Sequence, residues 1–131
     1  MSDHHVHNAS SDVVWYPEAR LAVVHYTAGA TLTLDDAKLL SGALAGWVGD
    51  GARPFGVLAD AKGLKATNAD YRASIGDWFK HHREAYIALV NMGPVIRIVV
   101  DMFRIATGVS LKAFSNEADA RAWLRSAGIG A

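Results

Sequence analysis

The sequence predicts an α/β sandwich, with a mixed five-stranded sheet, an N-terminal antiparallel hairpin and about four helices. Three observations carry that expectation. Residues 55–59 are apolar, opened by Pro54 and closed by Asp60, which suits a short strand covered on both faces. Strands of that kind imply parallel neighbours joined by crossover helices. Second, the β-branched and aromatic runs 13–16 and 21–27 flank Pro17-Glu18-Ala19-Arg20, a length that suits a hairpin turn. Third, from residue 33 onward segments of helical periodicity alternate with short apolar runs, the pattern of strand-helix units.

Taken in order, residues 1–12 are rich in His, Ser, Asn and Asp with a lone Val6, and they read as a loose polar tail ahead of one domain over 13–131. The hairpin follows, and Gly29 ends its second strand. Thr33-Leu34-Asp35-Asp36 announces the first helix, with Thr33 as cap and an acid three residues on. Ala37, Leu40, Ala43, Leu44, Trp47 and Val48 then mark its apolar face. Gly42 and Gly46 lie four apart within it, where close packing on the sheet is the plain explanation of a residue that weakens helices. After the central strand, Thr67-Asn68-Ala69-Asp70 repeats the capping pattern, and Tyr71, Ile75, Trp78, Phe79 and His82 form an aromatic face. Residues 86–90 read as a buried strand. Residues 95–100 have the composition of a strand, but length and the Asn91-Met92-Gly93-Pro94 start favour a helix over 94–106 with Gly108 past its end. Residues 111–114 form the last strand, and Ser115-Asn116-Glu117 opens a helix facing inward through Ala120, Trp123, Leu124 and Ala127.

Composition removes several functions. Thirteen basic and thirteen acidic side chains cancel, so no global field gathers nucleic acid, an anionic membrane or acidic substrates. The absence of cysteine excludes disulfides, thiolate catalysis and Cys-type zinc sites. The apolar stretch 95–106 is broken by Arg97, Asp101 and Arg104 and is too short to span a bilayer. With a polar start lacking an apolar signal core, the expected location is the cytoplasm. The acceptor pattern Asn8-Ala9-Ser10 is then read as accidental.

The element order resembles that of STAS-like proteins related to anti-sigma factor antagonists, the SpoIIAA-like group, including small bacterial members that open with a hairpin. The resemblance covers roughly residues 13–127. It is carried by VLADAKGL as strand and loop, YIALVNMGPVIRIVVDMF as strand and helix, and LKAFSNEADARAWL as closing strand and helix. It implies a regulatory domain that binds other proteins. In the phosphorylated members an Asp-x-x-Gly loop is followed about five residues later by a phosphorylated serine. Asp60 and Gly63 fit that loop, but the serine position falls on Ala69 between Asn68 and Asp70. The phosphoacceptor is missing, and Thr67, two residues away, reads as a helix cap rather than a displaced acceptor.

Other chemistry is sparse. His81 and His82 are adjacent, about 100° apart on a helix, and cannot share a metal, and they read as an exposed helix end. His25 is a lone strand histidine. No Ser-His-Asp, paired-carboxylate, phosphate-loop or cofactor motif stands out. With Met1 removed, Ser2-Asp3-His4 would supply a square-planar nitrogen set for Cu(II) or Ni(II), which any chain with a third-position histidine shares.

Three function classes follow. A non-catalytic regulatory or scaffold module that binds protein is favoured. A small-ligand or lipid-binding domain would use the aromatic helix of Tyr71, Trp78 and Phe79, and an enzyme would use the carboxyl ends of the strands. A flat apolar patch, a deep apolar pocket and a cleft of converging polar groups distinguish them in that order. The rim beyond the strand ends should gather Asp60, Lys62, Lys65, Thr67, Asn91 and Gly93 beside two helix starts with free amides. In the 94–106 helix, Arg97, Asp101 and Arg104 share one stripe, leaving an apolar arc of roughly 220°, about twice what one sheet contact uses. That excess predicts a homodimer, or a hetero-complex through the same strip, with Val100, Phe103 and either Ile96 or Ile105 at its edge.

Overall fold

The computed structural model describes residues 4–49 and 53–131. Its main sheet has six strands in the order β1 (His5–His7), β2 (Ser11–Tyr16), β3 (Leu21–Tyr26), β5 (Phe55–Asp60), β7 (Ala85–Val90) and β8 (Ser110–Phe114). The first three run antiparallel, and from β3 onward every pairing is parallel. A second, two-stranded sheet joins β4 (Thr31–Leu32) to β6 (Ala66–Thr67). The helices are α1 (Leu34–Val48), α2 (Ala69–Lys80), α3 (Pro94–Thr107) and α4 (Glu117–Ser126).

The mixed α/β class, the hairpin and the four helices agree with the sequence expectation, and the strand count does not. The sixth strand comes from the segment expected to be a loose tail. His5, Val6 and His7 pair with Val14, Val13 and Asp12, and Val6 packs on the core. Two side chains secure the turn that follows. Asn8 accepts from the Ser10 and Ser11 amides and donates to the carboxylate of Asp36, and the Ser11 hydroxyl donates to the same oxygen. Asp36 is itself buried at the start of α1, where its other oxygen accepts from the Thr33 amide at 2.9 Å. The Thr33 hydroxyl donates to that second oxygen too, so the buried carboxylate has four donors, is satisfied rather than stranded, and ties β1 and β2 to α1.

The strand order explains the layers. From β3 to β8 the sheet advances one neighbour at a time, so right-handed crossovers send α1, α2 and α3 to one face. That face holds the larger core, with Leu40 and Leu44 of α1 and Ile75 and Phe79 of α2 over Val24, Val57 and Ile87. The chain then passes beyond β8 and returns on the other face, where Ala120 and Leu124 of α4 cover Leu58, Ala88 and Val90. The central strand is therefore buried on both sides, as its composition requires.

Gly56 is a point of close packing in the second core. A Cβ there would lie 3.0 Å from both Ile129 Cγ2 and Leu21 Cδ1, and 3.3 Å from Leu124 Cδ2. The helix glycines differ from their expected role, because Gly42 and Gly46 are exposed and an added Cβ meets nothing within 4 Å. They face solvent, not the sheet. Asn68 rather than Thr67 caps α2, its side chain accepting from the Tyr71 amide at 2.8 Å. Thr67 lies in β6 and accepts from Arg72 through its hydroxyl.

These contacts set opposite signs for substitutions of the same type. Gly42→Ala and Gly46→Ala should each raise stability by up to about 1 kcal/mol, since the helix gains propensity without a clash. Gly56→Ala should lower it by about 1–3 kcal/mol through overpacking. Urea denaturation of the three variants checks both signs.

Candidate functional site

The rim beyond the parallel strands is built by the loops after β5 and β7. Asp60 ends β5 directly beside Val90, so the loop at Asn91 emerges next to it. Asn91 adopts a positive φ of 60°, which asparagine tolerates better than most residues, and donates its side-chain amide to Asp60 Oδ1 at 3.0 Å. The Lys62 amide donates to the same oxygen at 2.9 Å. Partial burial pushes the Asp60 carboxyl up, but the Asn91 and Lys62 hydrogen bonds and the charges of His25 and Lys62 together outweigh it. The group is held below its ordinary range.

Of the six rim candidates, the structure joins Asp60, Lys62 and Asn91 by hydrogen bonds. Lys65 and Thr67 follow on the same loop but are turned into the small sheet, where the Lys65 amide donates to Ala30. Gly93 is exposed and caps α3. Asp60 thus ties the two loops together through Oδ1, which accepts both hydrogen bonds. Of the Ser2, Asp3 and His4 set, Ser2 and Asp3 lie outside the described residues. Among the described residues no three His, Cys, Asp or Glu side chains could hold a metal ion. His81 and His82 donate from Nδ1 to the carbonyls of Asp77 and Trp78, closing the end of α2, and His82 also stacks on Trp78.

The second region is α3, which packs against α2 and β8. As the outermost helix of its layer it has a helical neighbour on one side only. Its apolar arc therefore splits. Ile96 is 5 % exposed, and Val100 and Phe103 are half-buried against the core. On the outward side Val95, Ile98, Met102 and Ile105 are 66, 62, 67 and 81 % exposed. Of the four residues expected at an interface edge, Ile96 belongs to the core, Val100 and Phe103 lean inward, and Ile105 alone stands free. The expectation missed Val95, Ile98 and Met102. Their spacing with Ile105 at i, i+3, i+7 and i+10 was the available signal.

Beneath α3 lies a cavity of about 100 Å³, lined in part by Tyr26, Leu64, Tyr71, Phe79, Ile96 and Phe103. The Tyr26 and Tyr71 hydroxyls hydrogen-bond to each other there. Burial, reinforced by the nearby Asp36 carboxylate and opposed by the Tyr71 bond, pushes Tyr26 up to about 12. Burial does the same to Tyr71, which is raised well above its ordinary value.

A family model described as SpoIIAA-like matches residues 23–125, and the chain belongs to that family. Among solved structures it is similar to a protein of the DUF3478 family from Shewanella loihica, described as having a SpoIIAA-like fold. The two are 19 % identical with a TM-score of 0.58, over 95 % of this chain and 98 % of the other. No curated protein matches. Among the described residues no helix is long and apolar enough to cross a membrane.

The Asp60 hydrogen bonds give a pH prediction. A carboxyl whose folded pKa lies below its unfolded value adds stability above the unfolded pKa, and that stability is lost as pH falls through the folded pKa. Asn91→Gly removes the amide while relieving the positive φ. The Asp60 carboxyl should then titrate at higher pH than in the unaltered chain, which NMR detection of its side-chain carbon during an acid titration will show.

Proposed function

We propose that this chain is a non-catalytic regulatory or scaffold module that works by binding protein, without the phosphoacceptor serine of the phosphorylated STAS-like proteins. The observation that carries the reading is the outward face of α3, where four large apolar side chains stand in one line with no cover. Exposed apolar surface in a contiguous patch costs solubility and usually marks a partner site. Of the rim residues Asp60, Lys62, Lys65, Thr67, Asn91 and Gly93, Gly93 caps α3 and so joins the loop after β7 to this helix. We assign the rim as the polar border of the same surface. The parent fold is one of regulatory protein interactions, in keeping with this assignment.

Two observations weigh against the other classes. The apolar cavity under α3, at about 100 Å³, is well below the roughly 300–1,000 Å³ of small-molecule pockets, and the larger groove of about 590 Å³ between α2 and α3 is an open cleft whose lining includes Arg72, Asp77 and Lys80 rather than a deep apolar pocket. At the rim, Asp60 spends an oxygen on loop structure rather than presenting it to a substrate.

A photoreactive residue placed at Met102 in cells of the native host tests the proposal, with Ala45, exposed on α1, as the control position. The Met102 position should yield a discrete crosslinked protein product that Ala45 does not. Absence of a product at Met102, or the same products at both positions, would overturn the reading.

A further inference from the structure

The outward strip of α3 continues into a concave surface. Helices α2 and α3 each cross between parallel strands, so they run parallel, and a cleft of about 590 Å³ opens between them toward solvent. Small residues line it, with Ala73 and Gly76 on the α2 wall and Ala106 on the α3 wall. At its floor the two helices close on each other, since a Cβ on Gly76 would lie 3.4 Å from Thr107 Cγ2 and 3.7 Å from Phe103 Cε2. Met102 lines the cleft and is 67 % exposed, so cleft and strip form one apolar surface. We propose that this surface seats an amphipathic helix of a partner protein, apolar on its buried face and acidic along its flanks. The proposal rests on the protein-binding reading of α3 given above.

Shape points to a helix. A trough between two parallel helices takes a ridge of side chains, and a helix presents such ridges at i, i+3, i+4 and i+7. A bilayer has no ridge, and pressing the cleft into anionic lipid would carry the Asp77 and Asp101 carboxylates to the headgroups.

Charge selects among helices. The cleft itself carries Arg72 and Lys80 against Asp77. Across the strip, the far flank of α3 carries Arg97 and Arg104 against Asp101. Each border therefore holds two cations and one anion, in a chain whose charges cancel overall. Asp101 is already engaged by Arg104 at 3.3 Å, whereas among the described residues Lys80 and Arg97 make no ion pair. Carboxylates on both flanks of a docked helix find cations there, and lysines do not. The same borders count against a second copy of this chain, whose own surface would bring the same excess of cations.

A photoreactive residue at Ala73, exposed on the α2 wall, is paired with the one at Met102. Both should capture the same host protein. Mass spectrometry should place both crosslinks in one segment with apolar residues at helical spacing and an excess of Asp and Glu. Two labelled helical peptides with identical leucine positions, one flanked by Glu and one by Lys, test the charge rule without the host. By fluorescence anisotropy the Glu peptide should bind at least tenfold tighter. That preference should shrink in about 0.5 M salt and in Lys80→Glu, while Ala73→Glu should weaken the Glu peptide at least tenfold. Equal affinities for the two peptides, or a Glu peptide indifferent to Ala73→Glu, overturn the acidic helix. Co-sedimentation of the chain with phosphatidylglycerol vesicles, without binding of either peptide, also overturns it and assigns the surface to a bilayer. If Met102 crosslinks a host protein through a segment with no acidic helical repeat, the protein-binding reading survives and the acidic helix does not. With no crosslink at Met102, both fall.

Discussion

Gly56 lies where three side chains from three parts of the chain converge, and the fold depends on that contact. Leu21 comes from β3, Leu124 from α4 and Ile129 from the segment after it, and none leaves room for a Cβ. Because α4 can approach so closely, β5 is covered on its second face while α1 and α2 cover the first. A strand covered on both faces suits parallel neighbours, and parallel neighbours need crossovers, which here carry helices. The one-directional strand order then places three helices on the same face.

The exposed strip on α3 follows from that arrangement. α1 and α2 pack on each other, and α2 flanks α3, but beyond α3 the sheet ends at β8. A helix of mid-layer composition is thereby placed at the border of the layer. Its inward third fills the core, its charged stripe meets solvent, and the remaining third is apolar and bare. Its position at the border of the layer leaves this part of the apolar arc uncovered. Gly93 at one end and Gly108, at φ 68°, at the other bound it as a discrete element between β7 and β8.

Most of this was legible in the residues. The helix starts at Thr33 and Asn116, the double burial of residues 55–59 and the continuous arc of α3 follow from periodicity and capping chemistry. The β1 strand was not legible, because three residues with one apolar side chain carry no period, and their order comes from Asn8 and Ser11 reaching a carboxylate 25 or more positions away. The glycines of α1 misled for a related reason. An exposed helix glycine and a packed one look alike in sequence, and only the neighbours differ. At the rim, the reading found Asp60, Lys62 and Asn91 together, but not that Asp60 would be occupied in holding two loops. On α3, the width of the apolar arc was readable while the side facing out was not, since that depends on which helix ends the layer.

The division of α3 into a face that serves its own fold and a face that serves a partner is the central claim. Equilibrium unfolding at concentrations low enough to hold single copies tests it with one substitution made on each side. Ile96→Ala and Ile98→Ala change helix propensity identically and lie two residues apart. The account predicts a loss of about 2–5 kcal/mol for Ile96→Ala, and a change within about 0.5 kcal/mol for Ile98→Ala. Equal losses at the two positions would mean that both faces of α3 are buried in a single copy, and would contradict it.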